Sequence, residues 1–312
     1  MASSSTSAAR GIGLALLAFA LLSSMDAVIK TLGSGYSVAQ IAFSNGLFSL
    51  VPTAVLAAMT GGWATLRTRR PGLQALRGVF AVMSGMCAFA AIGVMPLADA
   101  YAIFFAAPLI ATALSPLLGE SVGPRRWAAV IVGFGGVMVM LRPGAGLLAG
   151  GALAAMGTAV FWAGTVLTMR RLAADETSAA TSLYGNLVAM AVCAALMAGG
   201  ALFGAPAGSP FGFAMPDAGD ALLMVLSGLL GGCGIVCVAL AVQAAPSAVV
   251  APFQYTQMIW GVFYGAVLFG NLPDGWTLAG AAIVALSGLY ILHRETRRGA
   301  EPVVAAAERA AA

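Results

Sequence analysis

The most informative property of this sequence is how little charge it carries. Only 8% of its 312 residues are Asp, Glu, Lys or Arg, whereas a soluble domain has about 25% charged residues. Hydrophobic residues make up 61% of the chain, so it cannot cover itself with a surface that suits water. The composition therefore excludes a soluble protein and predicts one that crosses the lipid bilayer several times.

Residues that carry catalysis or bind metals are equally scarce. The one histidine, His293, stands beside Arg294 at the end of the last apolar segment, where an interfacial role is expected. All four cysteines fall inside apolar segments, and the pair one helical turn apart, Cys233 and Cys237, has no histidine or carboxylate nearby in the sequence. We therefore interpret these cysteines as small buried hydrophobic residues. Nucleotide-binding loops, zinc motifs and nucleophile motifs are missing, so we predict no enzyme activity, no metal and no cofactor.

Two segments of the chain resemble each other at a spacing of about 150 residues. Three landmarks recur at intervals of 149 to 151 positions: Pro96 with Pro246, Gly119 with Gly270, and Trp127 with Trp276. The alternative is chance similarity between two helices rich in Ala, Gly and Leu. If each copy has an odd number of spans, the two copies face opposite ways, and inverted repeats are a building plan of secondary transporters.

Apolar runs near the length that a bilayer core requires, about 20 residues, predict ten transmembrane helices. They cover 11–32, 39–59, 73–94, 97–118, 127–142, 148–169, 178–202, 219–243, 248–268 and 276–292. The stretch from Ala221 to Pro273 contains no charge and is too long for one helix, so we place a break at 244–247, where Pro246 interrupts it.

The predicted fold class is an all-α membrane protein whose ten transmembrane helices form two inverted five-helix repeats. The repeats cover 11–142 and 148–292, between a cytoplasmic segment at 1–10 and a cytoplasmic tail at 293–312, for which we expect disorder or loose helix.

The basic residues predict how the chain is oriented. With a cytoplasmic N-terminus, 13 of the 15 Lys and Arg residues lie on the inner side, and only Lys30 and Arg142 lie outside. This asymmetry satisfies the positive-inside rule with both termini in the cytoplasm. The cations are spread between apolar segments and form no patch with aromatic residues, which argues against a nucleic-acid partner. The preference for Arg over Lys, with abundant Ala and Gly, indicates a GC-rich bacterial genome and hence the bacterial inner membrane.

Polar residues inside the spans are candidates for function, because they are costly in hydrocarbon unless they face a cavity or a partner. Asp26 lies inside the first span, about one and a half turns before its outer end. One interpretation is an i,i+4 ion pair with Lys30. The other is a carboxylate that takes up a proton or contacts substrate, which would make Asp26 and Lys30 candidates for proton coupling.

The ninth span carries a polar stripe in mid-membrane. Gln254, Gln257 and Tyr264 share one helical face with Gly261, which favours cavity lining over the alternative of hydrogen bonds between helices. We expect spans 1, 3, 4, 6, 8 and 9 to line the cavity. The candidate cavity residues are Asp26, Asn45, Tyr101, Phe105, Trp162, Gln254, Tyr255, Gln257, Trp260 and Tyr264.

Four segments of the first repeat form a recognisable set: Pro96-Leu97-Ala98-Asp99-Ala100, Leu118-Gly119-Glu120, Trp127 and Gly133-Phe134-Gly135-Gly136-Val137. Together they resemble the EamA family of the drug/metabolite transporter superfamily. The resemblance extends over both repeats and implies a ten-helix bundle with a central cavity that moves small metabolites by alternating access. The first span, which contains Asp26 and Lys30, and the segment 96–100 are most similar to bacterial riboflavin- and S-adenosylmethionine-type members.

Two departures bear on the substrate. Asn45 stands where related sequences often have Arg, and Asn271 stands where the first copy has Glu120. The missing Arg puts an anionic substrate in doubt.

The function that we expect is a secondary active transporter of a small organic metabolite, amino-acid-like or heteroaromatic. A riboflavin- or S-adenosylmethionine-type importer is the narrower alternative. A membrane-embedded enzyme is the alternative from another class, but it needs an acid/base or metal constellation that the sequence lacks. The oligomeric state does not follow from the sequence.

Overall fold

The computed structural model describes residues 2–118, 123–141, 150–172, 176–206, 209, 211–244 and 250–310, and every regular element within them is a helix. The α-helices are α1 (Ala2–Leu32), α2 (Val38–Thr60), α3 (Pro71–Val94), α4 (Leu97–Phe104), α5 (Ala107–Leu114), α6 (Pro124–Leu141), α7 (Gly150–Leu172), α8 (Ser178–Leu202), α9 (Ala218–Ala244), α10 (Gln257–Phe269) and α11 (Gly275–Ala310). Short 3-10 helices cover Gly62–Leu66, Ser115–Leu118 and Ala251–Thr256.

Eight of the ten predicted spans coincide with one continuous α-helix each, and α8 reproduces the predicted 178–202 at both ends. The helical backbone also extends beyond the predicted spans, because α1 begins at Ala2 and α11 continues to Ala310. The predicted break at Pro246, the motif residue Glu120 and the outer cation Arg142 lie outside the described residues.

The fourth and ninth predicted spans are interrupted. The fourth is split into α4 and α5 around Phe105 and Ala106, and the ninth contains the 3-10 helix Ala251–Thr256 directly before α10. A proline accompanies each irregularity: Pro108 lies in the first turn of α5, just after the interruption, and Pro252 lies in the first turn of the 3-10 helix. Because proline has no N–H to donate to the preceding turn, both spans depart from a continuous α-helix at corresponding places.

Seven helical stretches among the described residues are long and apolar enough to cross a membrane. They belong to α1, α2, α3, α4 with α5, α7, α8 and α9. The other three predicted spans correspond to α6, α10 and the first part of α11. In α11, the apolar stretch Gly275–Ile291 is shorter than the seven others. The described part of the chain is therefore all-helical with multiple apolar helices, and the count of ten crossings stays a prediction.

The helices of the two halves pack against each other in exchanged pairs. α1 of the first half packs along α9 of the second, and α3 of the first half packs along α7 of the second. In the same way α2 packs against α9, and α8 packs against α3. Neither half therefore forms a bundle of its own.

Corresponding helices of the two halves run in opposite directions where they meet. On α2 and α8, a Cβ on Gly46 would lie 3.2 Å from Met190 Cγ, while the hydroxyls of Thr53 and Ser182 lie 3.1 Å apart. As the residue number falls along α2 it rises along α8, so these two helices are antiparallel. The contacts between α6 and α11 show in the same way that these two helices are antiparallel.

At one end of the bundle, a carboxylate from the loop between α7 and α8 holds the start of α3. Glu176 accepts hydrogen bonds from the Thr68 hydroxyl at 2.8 Å, from the backbone N–H groups of Arg69 at 2.7 Å and Arg70 at 3.1 Å, and from Gln74 Nε2 at 3.2 Å. Partial burial raises the pKa of Glu176, but these hydrogen bonds together outweigh it and lower the pKa below its ordinary value. A negative group at a helix N-terminus also meets the positive end of the helix dipole.

At the opposite end, the loop between α1 and α2 and the first turn of α2 hold the approach to α9. The Tyr36 hydroxyl donates to Asp220 in the first turn of α9 at 2.7 Å. Gln40 Nε2 donates to the carbonyl of Ala214 at 2.7 Å, and the Ala214 N–H donates to Gln40 Oε1 at 3.0 Å. Each half thus fixes the start of one long helix of the other half.

Candidate functional site

A cavity of about 370 Å³ lies between helices of both halves. Side chains of α1, α2, α3, α4 and α5 line it from the first half, and α7, α8, α9, α10 and the 3-10 helix Ala251–Thr256 line it from the second. Its volume lies within the range of about 300–1,000 Å³ for sites that hold small organic ligands.

Seven of the ten candidate cavity residues lie in the wall of this cavity: Asp26, Asn45, Tyr101, Phe105, Trp162, Gln254 and Gln257. The glutamines of the ninth predicted span and the aromatic residues of the fourth thus reach one space. All six helices expected to line the cavity contribute to it. The wall also includes residues from α2 and α8, the second and seventh predicted spans, which were not among those six, although Asn45 of α2 was itself a candidate.

The other three candidates, Tyr255, Trp260 and Tyr264, are not among the residues that line the cavity. The Tyr264 hydroxyl lies 2.6 Å from the Ser24 hydroxyl, and its ring stacks on Trp260 with the centroids 6.1 Å apart. The polar stripe of the ninth span therefore divides, because its glutamines face the cavity while Tyr264 contacts α1.

Phe105 and Tyr255 differ by 150 positions, which is the spacing of the two copies. Their rings contact each other edge to face, with the centroids 4.9 Å apart. Corresponding residues of the two copies therefore meet beside the cavity, at the two interrupted spans.

The polar residues of the cavity wall that were not predicted come from four helices: Ser49 of α2, Ser84 of α3, Thr158 of α7, and Ser182 and Asn186 of α8. The spacing of some of these residues in the sequence could have predicted their place in the wall. Asn45 and Ser49 are four residues apart, as are Ser182 and Asn186, so each pair lies on one helical face. Polar pairs at this spacing inside apolar spans indicate a face that does not contact lipid.

Asp26 is bound by Tyr101 and not by Lys30. The Tyr101 hydroxyl donates to Asp26 Oδ2 at 2.7 Å, and the two side chains are only 2% and 8% exposed. This bond links α1 to α4 one turn before the interruption at Phe105. The ion pair that the i,i+4 spacing suggested is absent from the described residues.

Lys30 instead closes the end of α3. Its ammonium donates to the carbonyl oxygens of Ile92 at 2.7 Å and Met95 at 2.8 Å, and it lies 5.3 Å from the centre of the Phe269 ring. The last carbonyls of a helix lack partners within it, and a cation there also complements the negative end of the helix dipole. These contacts explain Lys30 as a helix cap, without an acidic partner.

The close approach of α10 to Tyr101 depends on Gly261. A Cβ at this position would lie 2.6 Å from Tyr101 Cδ2 and 2.9 Å from Cε2. Small residues allow membrane helices to approach in this way. Gly261 and Asp26 thus fix the Tyr101 ring from two sides.

Within the described chain, no three His, Cys, Asp or Glu side chains lie close enough together to hold a metal ion. The cavity wall combines amides, hydroxyls, aromatic rings and the carboxylate of Asp26 with aliphatic residues such as Leu22 and Ile235.

The sequence model of the EamA-like transporter family matches residues 9–142 and 149–293. A riboflavin transporter of Rhizobium johnstonii is 30% identical over 77% of this chain and 76% of its own length. An S-adenosylmethionine uptake transporter of Rickettsia bellii is 26% identical over 92% and 94%, and a pseudopaline exporter of Pseudomonas aeruginosa is 26% identical over 93% and 97%. A crystal structure with 21% identity covers 94% of this chain and 99% of its own with a TM-score of 0.61, a similarity of fold.

Proposed function

This chain belongs to the EamA-like transporter family, and from that premise we propose that it is a secondary active transporter. It moves a small organic metabolite, amino-acid-like or heteroaromatic, across the bacterial inner membrane by alternating access. The observation that carries the proposal is the cavity, which is lined by helices of both halves and has polar side chains from the middle of several spans in its wall. Transporters of inverted-repeat design bind substrate near the midplane, between their repeats.

The proposed architecture is ten membrane-spanning helices in two inverted repeats of five. The antiparallel course of α2 with α8 and of α6 with α11 supports it, because these pairs hold corresponding places in the two copies. The interruptions in the fourth and ninth spans support it too, since discontinuous helices at corresponding positions are typical of transporter binding sites.

The exchanged packing supports alternating access. α9 packs against α1 and α2, with the contacts of Tyr36 and Gln40 at one end, and α3 packs against α7 and α8, with the contacts of Glu176 at the other. These two groups of helices meet along α2 and α8, and both line the cavity. In the proposed mechanism, a rocking motion of one group against the other opens the cavity to one side and closes it to the other, which is the rigid-body form of alternating access.

The orientation gives a direct prediction about topology. Reporter fusions after Gly61, Pro124, Asp175 and Arg298 should report the cytoplasm, and fusions after Gly35, Gly146, Gly208 and Pro273 should report the outside. The physical reason is the distribution of 13 cations inside against two outside. An external signal near Arg67–Arg70 would contradict the orientation.

Transport itself is tested in proteoliposomes with a panel of labelled metabolites, with and without an imposed proton gradient. We expect saturable flux of at least one compound, and we expect Gln257→Ala to reduce it while expression and thermal stability stay near normal. The reason is that the half-buried Gln257 amide faces the cavity and contributes little to packing. Empty liposomes provide the control, and a variant that fails to fold would favour a structural role for Gln257.

Within transport, the riboflavin- or S-adenosylmethionine-type importer is the second candidate. The named relatives support it, and so do the aromatic rings in the cavity wall, which suit a planar ring. Another relative is named as an exporter, so uptake and efflux both have to be measured.

A further inference from the structure

The polar groups of the cavity wall fall into two classes. The hydroxyl groups are occupied by the protein itself: Ser49 donates to the carbonyl of Gly228 at 2.9 Å, and Ser84 donates to the carbonyl of Thr158 at 3.1 Å. A hydroxyl has one proton to donate, so these groups have little left to offer a ligand.

The carboxamides are different. In the described chain, the side chains of Asn45, Asn186 and Gln257 make no hydrogen bond, and Asn45 Nδ2 is fully buried without a partner. A buried amide group without a partner is costly. The buried Nδ2 of Asn45, together with the half-buried amides of Asn186 and Gln257 in the same wall, therefore indicates a ligand that supplies the missing donors and acceptors.

The rest of the wall restricts what this ligand is. Among the described residues of the wall, only Asp26 is charged. No Lys or Arg lies there to balance a negative group on the ligand. Aromatic rings line the same space: Phe19, Phe89, Tyr101, Phe104, Phe105 and Trp162. An anionic group would be desolvated there beside a carboxylate, at a cost that no cation offsets. Planar rings, by contrast, stack favourably on aromatic side chains.

We infer that the cavity binds a planar, uncharged nitrogen heterocycle, and that Asn45 and Asn186 recognise its edge through adjacent hydrogen-bond donor and acceptor atoms. A carboxamide presents an acceptor oxygen beside a donor nitrogen, and this pair matches the edge of a nucleobase or flavin ring, as in the bidentate contacts of Asn and Gln with adenine. The inference rests on the proposed function, because it names the substrate class of the same site.

The chain offers a matched control. It contains three asparagines, of which two line the cavity while the third, Asn271, lies exposed in the connection between α10 and α11. Asn→Leu keeps a similar side-chain size and removes both hydrogen-bonding atoms. The same change can therefore be compared inside and outside the cavity.

The experiment measures binding to the purified protein by equilibrium dialysis, with riboflavin and adenosine as heterocycle probes. Riboflavin is compared with 3-methylriboflavin, which lacks the edge N–H, and with riboflavin 5′-phosphate, which adds an anion to the same ring. We expect saturable binding of at least one heterocycle. We also expect 3-methylriboflavin and the phosphate to bind more weakly than riboflavin. Asn45→Leu and Asn186→Leu should each raise the Kd roughly tenfold, as for the loss of one or two hydrogen bonds, whereas Asn271→Leu should not change it.

The outcomes separate this inference from the proposed function. Flux of other labelled metabolites with no binding of either heterocycle would overturn the inference and leave transport standing. Heterocycle binding without flux of any compound would overturn the proposed transport function and leave the inference about the ligand standing. Tight binding of the phosphate would refute the inference that the ligand is uncharged. Equal binding of 3-methylriboflavin and riboflavin would refute recognition of the ring edge. Both results count even if a leucine variant fails to fold. An unchanged ratio of these two affinities in folded Asn45→Leu and Asn186→Leu would refute the assignment of these two residues.

Discussion

The Asp26→Asn variant is expected to transport substrate without any dependence on pH and to lose proton-driven accumulation. Asp26 supplies the carboxylate of the described cavity wall, and Tyr101 donates to it at 2.7 Å. An amide oxygen can accept the same hydrogen bond, but an amide cannot take up a proton in this pH range. The substitution therefore removes the titration at position 26 while keeping the link between α1 and α4.

The measurement is flux in proteoliposomes between about pH 5.5 and 8, together with accumulation against an imposed gradient. For one coupled proton, a gradient of about one pH unit supports roughly a tenfold accumulation. The unmodified protein should approach that ratio, and Asp26→Asn should equilibrate the substrate at a ratio near one. Exchange of labelled for unlabelled substrate should persist in the variant, because exchange needs no net proton movement.

Lys30→Met and the double variant provide the controls. Lys30 binds the carbonyls at the end of α3, and Asp26 binds Tyr101. Adding Lys30→Met should therefore not rescue Asp26→Asn. Lys30→Met alone should lower thermal stability and keep the pH dependence. Rescue in the double variant would mean that the two residues form an ion pair during transport, and unchanged pH dependence in Asp26→Asn would remove this carboxylate from coupling.

The Gly261→Ala variant is expected to lose both stability and flux. The added Cβ would lie 2.6 Å from a ring atom of Tyr101, which is only 2% exposed and is bound to Asp26. The ring cannot move aside without disturbing that hydrogen bond, and forcing an extra methyl group into a packed site costs about 1–3 kcal/mol. Thermal unfolding of the purified protein should show a lower midpoint, and flux should fall further than the loss of folded protein explains.

Gly135→Ala is the matched control, because no heavy atom lies within 4 Å of a Cβ built at that position on α6. Alanine is a better helix former than glycine by up to about 1 kcal/mol, so this variant should be as stable as the unmodified protein or slightly more stable. If Gly261→Ala instead behaves like Gly135→Ala, then α10 has room to move away from α4, and the contact with Tyr101 does not constrain the cavity.

The positions of the helices were determined by the sequence itself. Whether a segment is apolar over the width of a bilayer is a local property, and so 178–202 was predicted with both ends correct. The spacing of about 150 residues was equally readable from the sequence, and in the structure two residues that are 150 positions apart, Phe105 and Tyr255, contact each other. Polar residues in mid-span were also a useful guide, because such residues avoid lipid. Most of the candidate residues chosen in this way line the cavity.

The partners of those polar residues were decided by the tertiary structure alone. Asp26 and Lys30 lie one helical turn apart, yet one binds Tyr101 and the other binds carbonyls of α3, because helices distant in sequence bring those groups closer. Tyr264 shares a face with Gln257, yet it contacts Ser24, since α10 crosses α1 at that level. The contribution of α2 and α8 to the cavity likewise arises where the two halves pack antiparallel. Helical periodicity fixes which residues share a face, but only the packing of the halves determines what that face meets.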